Sequence, residues 1–172
     1  MSLVLSPEAQ DLLFREARTA NTFTTEPVSD EQVRAIYDLV KYAPTAMNQQ
    51  PLRVVLVRSP QARERLVRLM APGNQAKTAA APLVAILAAD EALRSRTATF
   101  NAALQVGYFI LGVRAAGLAA GPMAGYDAAG VDKEFLDEAH TVLAVVNIGR
   151  PGPDAWFDRL PRLTYEEVVT TV

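Results

Sequence analysis

Four polar segments hold most of the side chains in this sequence that could do chemistry. They are Arg18-Thr19-Ala20-Asn21, Pro44-Thr45-Ala46-Met47-Asn48-Gln49-Gln50-Pro51, Gly73-Asn74-Gln75-Ala76-Lys77 and Arg159-Leu160-Pro161-Arg162. All four are expected in loops, where binding residues concentrate. Guanidinium and ammonium groups can hold a phosphate, and amide side chains offer both a donor and an acceptor to the edge of a heterocycle. Each segment alone also reads as a solvated turn. In combination they have the profile of a site for a phosphate-bearing, hydrogen-bonding cofactor, with the bound group supplying the reactivity.

What the sequence lacks points the same way. Its 172 residues contain no cysteine and one histidine, His140, with 17 basic against 19 acidic side chains and a formal charge of −2. Disulfides, thiolate metal sites and cysteine nucleophiles are excluded, and so is any site needing two imidazoles. There is no Gly-x-Ser-x-Gly elbow, no phosphate-cradling Gly-x4-Gly-Lys-Ser/Thr and no Gly-x-Gly-x-x-Gly fingerprint. No metal-ligand spacing is visible. Near-neutral charge without a basic run argues against nucleic acid as a partner. The start lacks the basic and apolar regions of a signal peptide, so a cytoplasmic protein is expected. The apolar stretch from Phe100 to Ala120 is interrupted by Asn101, Gln105 and Arg114 and reads as a buried helix, not a membrane span.

The elements that must position these segments follow from caps and periodicity. Ser6-Pro7-Glu8 opens a helix to about Ala17, and an irregular stretch runs from Arg18 to Val28. Ser29 with Gln32 forms a capping box for a helix that ends at Pro44. Arg53 to Arg58 reads as a buried strand, followed by a helix from Ser59-Pro60 that Pro72-Gly73-Asn74 breaks. Leu83 to Ala89 and Thr141 to Ile148 are apolar strands, with a long helix over about Ala98–Ala116 and a shorter one over about Ala129–Glu138 between them. A short extended piece leads from Gly117 into Gly121-Pro122-Met123. With half its residues hydrophobic and only 7% aromatic, the core is built on Ala, Val and Leu. A chain of this length buries about 70% of its unfolded surface, which supports one domain over residues 1–172. The alternation of elements indicates an α+β or α/β arrangement.

In their order, these loops resemble those of the FMN-dependent nitroreductase superfamily, and within it the malonic semialdehyde reductase-like subgroup. The carrying segments are Ala17 to Asn21, Pro44-Thr45-Ala46-Met47-Asn48, Gly73 to Lys77, Gly121-Pro122-Met123-Ala124-Gly125-Tyr126-Asp127 and Arg159 to Leu163. The resemblance implies an α+β, three-layer α/β/α fold with a central mixed β-sheet flanked by helices, in an intertwined homodimer with FMN at each interface. The helix from Ala98 to Ala116 becomes an element of the dimer core. Arg18 and Thr19 are expected at phosphate and ribityl oxygens, and Asn21 at the pyrimidine edge. Thr45, Ala46 and Asn48 would reach the flavin from the partner subunit, while Asn74 and Lys77 would face the polar edge of the ring. Arg159 and Arg162 compete for a phosphate contact.

Pro122 and Met123 lead into Ala124 and Gly125, whose backbone N–H groups are the candidate donors near flavin N5; glycine permits the close approach. No side-chain acid or base is identified. The implied activity is transfer of hydride from NADH or NADPH through FMN to a small acceptor: a nitroaromatic, a quinone or an aldehyde such as malonic semialdehyde. The alternative is a flavin-binding or interaction protein without significant turnover. Two departures from the family motivate it: Ala124 stands where many relatives carry an acid, and the connection over 91–98 is shorter than in relatives, where it forms part of the wall over the flavin.

Overall fold

A computed structural model describes residues 3–91 and 97–171. The caps read from the sequence are made. Ser6 Oγ accepts from the Ala9 N–H and opens α1 (Pro7–Gln10), which continues as a π-helical turn over Asp11–Arg15. Ser29 and Gln32 exchange both bonds of a capping box at the start of α2 (Asp30–Val40). Ser59 caps α3 (Pro60–Leu69), and Pro72 opens a separate helix, α4 (Pro72–Ala80). The long helix is α5 (Ala98–Ala115), and Asp127 caps α6 (Ala128–Phe135) with a bond from the Gly130 N–H. A final turn, α7, covers Tyr165–Val168.

The described strands are β1 (Leu52–Val57), β2 (Leu83–Asp90), β3 (Ala119–Met123) and β4 (His140–Gly149), in the order β1-β2-β4-β3. The extended piece before Met123 is therefore a strand. Its outer position suits Pro122, which has no N–H to give to a further neighbour. All three pairings are antiparallel, which corrects the expected mixed sheet. A single crossover helix would bring the chain back for a parallel partner. Two helices, α3 and α4, lie between β1 and β2, and β2 enters the sheet from the opposite end.

Side-chain alternation along β2 builds both cores. Leu83, Ala85 and Leu87 pack with Ile36, Val40, Phe109 and Val113 of α2 and α5, whereas Val84 and Ile86 pack with Leu66, Met70 and Val131 beside α3 and α6. The result is helices on both faces of one sheet, the expected three layers. β2 is wholly buried from Leu83 to Ala89, so its sequence is a continuous apolar run although its partners are antiparallel. β1 corrects the expectation of a buried strand: it lies at the sheet's edge with one neighbour, and Val54 is 38% exposed. Around α5, Ala98, Ala102, Phe109 and Val113 face the core, but Phe100, Leu104 and Tyr108 are open on the other side. No described helix is long and apolar enough to cross a membrane.

Candidate functional site

The Arg18–Asn21 segment lies along the outer edge of β3. The Ala20 N–H donates to the Ala120 carbonyl at 2.9 Å, and the Asn21 N–H to the Ala155 carbonyl at 3.0 Å. Ala20 and Ala155 are fully buried, which ties the first polar segment and the start of the tail to one strand. Gly121 makes this possible, because a Cβ there would stand 2.5 Å from the Ala20 carbonyl oxygen. Beyond that junction is a depression of about 260 Å³ lined in part by Arg18, Thr19, Asn21, Arg159 and Arg162. Three arginines thus line one small cavity, with Asp158 among its walls. The Arg159 guanidinium also donates to the Arg15 carbonyl, and Arg162 to the Leu160 carbonyl at 2.7 Å. Arg18 has no hydrogen-bond or ion-pair partner among the described residues.

Asn74 and Lys77 join this group from α4. They were expected in a loop; Pro72 instead sits in the first turn, where a missing N–H costs nothing. A spacing of three then puts both side chains on one face of the helix. Lys77 Nζ donates to Asn21 Oδ1 at 3.4 Å, and Asn74 Nδ2 to the Gly125 carbonyl at 2.9 Å. Gly125 leaves room for that amide, since a Cβ would stand 2.8 Å from Asn74 Nδ2. The Ala71 N–H donates to the same carbonyl at 3.0 Å, so the Gly125 peptide is held from two sides. Among the described residues nothing accepts from the N–H groups of Ala124 or Gly125. A polar row therefore runs from Arg18 through Asn21, Lys77 and Asn74 to two free backbone donors.

Pro122 and Met123 play other parts. Pro122 is half-buried in the edge strand, and Met123 is turned into the core, its Sδ accepting from Thr78 Oγ1 at 3.7 Å and Asn147 Nδ2 at 3.8 Å. The Met123 side chain is consequently not presented to the cavity. Thr45, Ala46 and Asn48 are not brought to the row either: no described hydrogen bond joins them to it, and Thr45 and Asn48 border a different depression beside Tyr37, Lys41 and Tyr42. One chain assembles three of the four polar segments. Residues 92–96, most of the connection expected to be shortened, lie outside the described residues.

Four buried polar side chains had escaped attention as site residues. Asn101 Oδ1 accepts from the Ala46 N–H at 2.8 Å, and Gln105 Oε1 from the Leu52 N–H at 3.0 Å. Arg114 Nε donates to the Leu12 carbonyl at 2.6 Å. Burial lowers the Arg114 pKa, the neighbouring Glu16 charge raises it, and the charge of Arg159 lowers it further. Asn147 is fully buried, and its Oδ1 has no partner. Three of these interrupt the apolar pattern of α5, and that was the available signal. A larger cleft of about 560 Å³, between α2, α5 and the edge of β1, is lined by Val33, Val40, Leu56 and Phe109 among others and holds none of the polar row.

His140 begins β4, as a strand-flanking residue, and lies apart from the row. Its Nδ1 is 2.5 Å from Asp137 Oδ1, and its Nε2 is 3.9 Å from Asp90 Oδ2. The bond from His140, then that from the Ala139 N–H, lowers the Asp137 pKa. A depressed carboxyl pKa adds stability above the ordinary aspartate value of about 4, and that addition is lost as pH falls through the folded-state value. Asp137→Asn is accordingly expected to flatten the fall of Tm between about pH 5 and pH 3. Thermal unfolding across that range checks it; an unchanged slope would show that the bond contributes nothing in solution.

Comparison with known proteins places this geometry. The family model described as the nitroreductase family matches residues 14–150. A Streptomyces coelicolor protein provisionally named NADH dehydrogenase/NAD(P)H nitroreductase is 67% identical over 196 aligned positions, covering all of both chains. That alignment is longer than this chain, so the relative carries residues absent here. A second Streptomyces coelicolor protein of the same provisional name is 45% identical, covering 94% of this chain and 93% of its own. Among solved structures, an Exiguobacterium sibiricum protein, described provisionally as a nitroreductase and solved in complex with FMN, superposes with a TM-score of 0.85 at 16% identity, covering 99% of this chain and all of its own. The chain belongs to the nitroreductase family.

Proposed function

We propose that this chain is an FMN-dependent NAD(P)H oxidoreductase, its 172 residues acting as one FMN-binding domain. The observation that carries the reading is the polar row: three arginines around one small cavity, continuous through Asn21, Lys77 and Asn74 with the free N–H groups of Ala124 and Gly125. The names of the relatives support it, as does the FMN bound in a structure of the same fold.

FMN fits these residues. Its phosphate is dianionic, and Arg18, Arg159 and Arg162 supply charge-assisted donors at one end of the row. A heterocycle with alternating donors and acceptors suits Asn21, Lys77 and Asn74 in the middle. When bound, FMN supplies the redox centre that accepts hydride from a reduced nicotinamide and passes it to an acceptor. The protein holds and orients. Lys77 places a positive charge where electron density on the ring's polar edge would increase, a preorganised stabilisation. Asn74, by holding the Gly125 carbonyl, anchors the chain immediately after the Ala124 and Gly125 N–H donors. Gly121 and Gly125 act indirectly, by letting the Ala20 segment and the Asn74 amide pack close against the backbone that carries the row.

The functional unit is a homodimer. The exposed Phe100, Leu104 and Tyr108 on α5 support this, as does a tail whose Phe157, Leu160, Leu163 and Tyr165 are each at least 70% exposed. Thr45, Ala46 and Asn48, absent from their own chain's row, would complete the partner's site. The acceptor is a small molecule; a nitroaromatic, a quinone or an aldehyde such as malonic semialdehyde fits an activity of this class.

Titrating the purified protein with FMN, then adding NADH or NADPH without oxygen, tests the proposal. Flavin uptake with red-shifted absorbance, followed by rapid bleaching, is the expected result. Failure to take up FMN overturns the proposal; uptake without bleaching by either nucleotide favours a flavin-binding protein without turnover.

A further inference from the structure

The Thr45–Gln50 segment is held in an unfavourable shape, and α5 is what holds it. Met47, Asn48 and Gln50 have φ values of 51°, 55° and 46°. Asparagine tolerates the left-handed region, but methionine and glutamine are strained there. The segment is largely exposed and contributes little core of its own: Met47 is 95% exposed. Its restraints are hydrogen bonds. Within it, Thr45 Oγ1 accepts from the Gln50 N–H at 3.1 Å. The Asn48 and Gln49 N–H groups also donate within it, to the Thr45 and Ala46 carbonyls, and from β1 Arg53 donates to the Gln50 carbonyl at 2.9 Å. Three further bonds come from the start of α5 and the residue before it. Asn101 Oδ1 takes the Ala46 N–H at 2.8 Å, Gln105 Oε1 takes the Leu52 N–H at 3.0 Å, and Thr97 Oγ1 donates to Gln49 Oε1 at 3.3 Å.

Asn101 and Gln105 are 3% and 8% exposed, in a helix whose other core-facing residues include Ala98, Ala102, Phe109 and Val113. Two amides buried at i and i+4 forfeit the apolar packing that leucine would give; Asn101 is satisfied by the backbone at the start of the segment, and Gln105 by the backbone of Leu52, where the segment runs into β1. Asn101 is further aimed by its own Nδ2, which donates to the Thr97 carbonyl at 2.8 Å.

We propose that Asn101 and Gln105 are positioning residues that hold the strained Thr45–Gln50 segment in the shape that receives FMN. The inference rests on the function proposed above, which puts Thr45, Ala46 and Asn48 against the cofactor. It adds that α5 carries two roles on adjoining faces of the same turns. Phe100, Leu104 and Tyr108 form its open face, while Asn101 and Gln105 set the backbone of the cofactor loop.

The test compares Asn101→Ala and Gln105→Ala with the parent by fluorescence titration of the apoprotein with FMN, alongside Tm, sedimentation and hydrogen exchange across residues 45–50. Both alanine variants are expected to bind FMN about tenfold more weakly than the parent, as fits the loss of a buried bond and its restraint. Faster exchange across residues 45–50 is expected beside the weaker binding. Alanine variants that lose Tm yet bind FMN within twofold of the parent would overturn the proposal, as would exchange across 45–50 no faster than in the parent. If a variant fails to fold, hydrogen exchange on the parent decides: slowing across residues 45–50 on adding FMN supports the proposal, and no change overturns it. A parent that takes up no FMN defeats the function proposed above; a parent that binds alongside unaffected variants defeats only this inference.

Discussion

Gly121→Val is expected to lower the unfolding free energy by about 3 kcal/mol and to cost the protein most of its FMN affinity. The expectation comes from what the new side chain would meet. A Cβ at this position stands 2.5 Å from the Ala20 carbonyl oxygen, with the Asn147 Cβ and the Phe23 ring each at 3.5 Å. The first of these is backbone and cannot rotate away. To make room, the Ala20 segment must part from β3, breaking the bond from the Ala20 N–H to the Ala120 carbonyl and exposing a fully buried alanine. Arg18, Thr19 and Asn21 would leave the cavity with it. Urea unfolding of the apoprotein measures the first effect and FMN titration the second. A variant that unfolds more easily but still binds FMN like the parent would show that the segment's docking on β3 does not build the site.

Arg18→Ala is expected to separate binding from folding. Arg18 has no described partner to lose, so the Tm should move by no more than about 2 °C. Arg18 nevertheless lines a cavity shared with Arg159 and Arg162, and a charge-assisted bond to a phosphate oxygen is worth about 1.5–3 kcal/mol. FMN affinity should therefore fall by about ten- to a hundredfold. Riboflavin, which lacks the phosphate, should bind parent and variant alike. Equal losses for FMN and riboflavin would place Arg18 away from the phosphate and reverse the orientation proposed for the cofactor.

Local chemistry made much of this fold legible. Caps at Ser6, Ser29, Ser59 and Asp127 start helices within a residue or two of where they were expected, because a side-chain oxygen facing orphan N–H groups is a short-range decision. The apolar runs of β2 and β4 were equally plain. The break between Leu69 and Pro72 is where the sequence puts it, but Pro72 also opens α4, which sets Asn74 and Lys77 on a helix and not in a loop. Proline ends one helix and opens the next with the same missing N–H, and whether a second helix follows depends on whether the next turn has something to pack on. Thr78 fully buried against Met123 is that something. The direction of strand pairing was also out of reach, because it depends on how α3 and α4 return the chain to β2.

The composition by itself excluded cysteine and paired-imidazole chemistry and so pointed to a reactive group from outside: no cysteine, one histidine, and amides and arginines gathered in short segments. The loop motifs identified the family. Only the tertiary structure decided which segments meet. Residues 56 apart in sequence touch at Lys77 and Asn21, and residues 51 apart at Asn74 and Gly125, while the Thr45–Asn48 segment is kept apart and bonded to α5 instead. The reason is physical. A side chain's type and its neighbours in sequence set what it can bond to, but what it does bond to is set by the packing of helices on both faces of one sheet. A sheet edge that accepts the Ala20 segment builds a cavity from three arginines that sequence alone leaves scattered from position 18 to position 162.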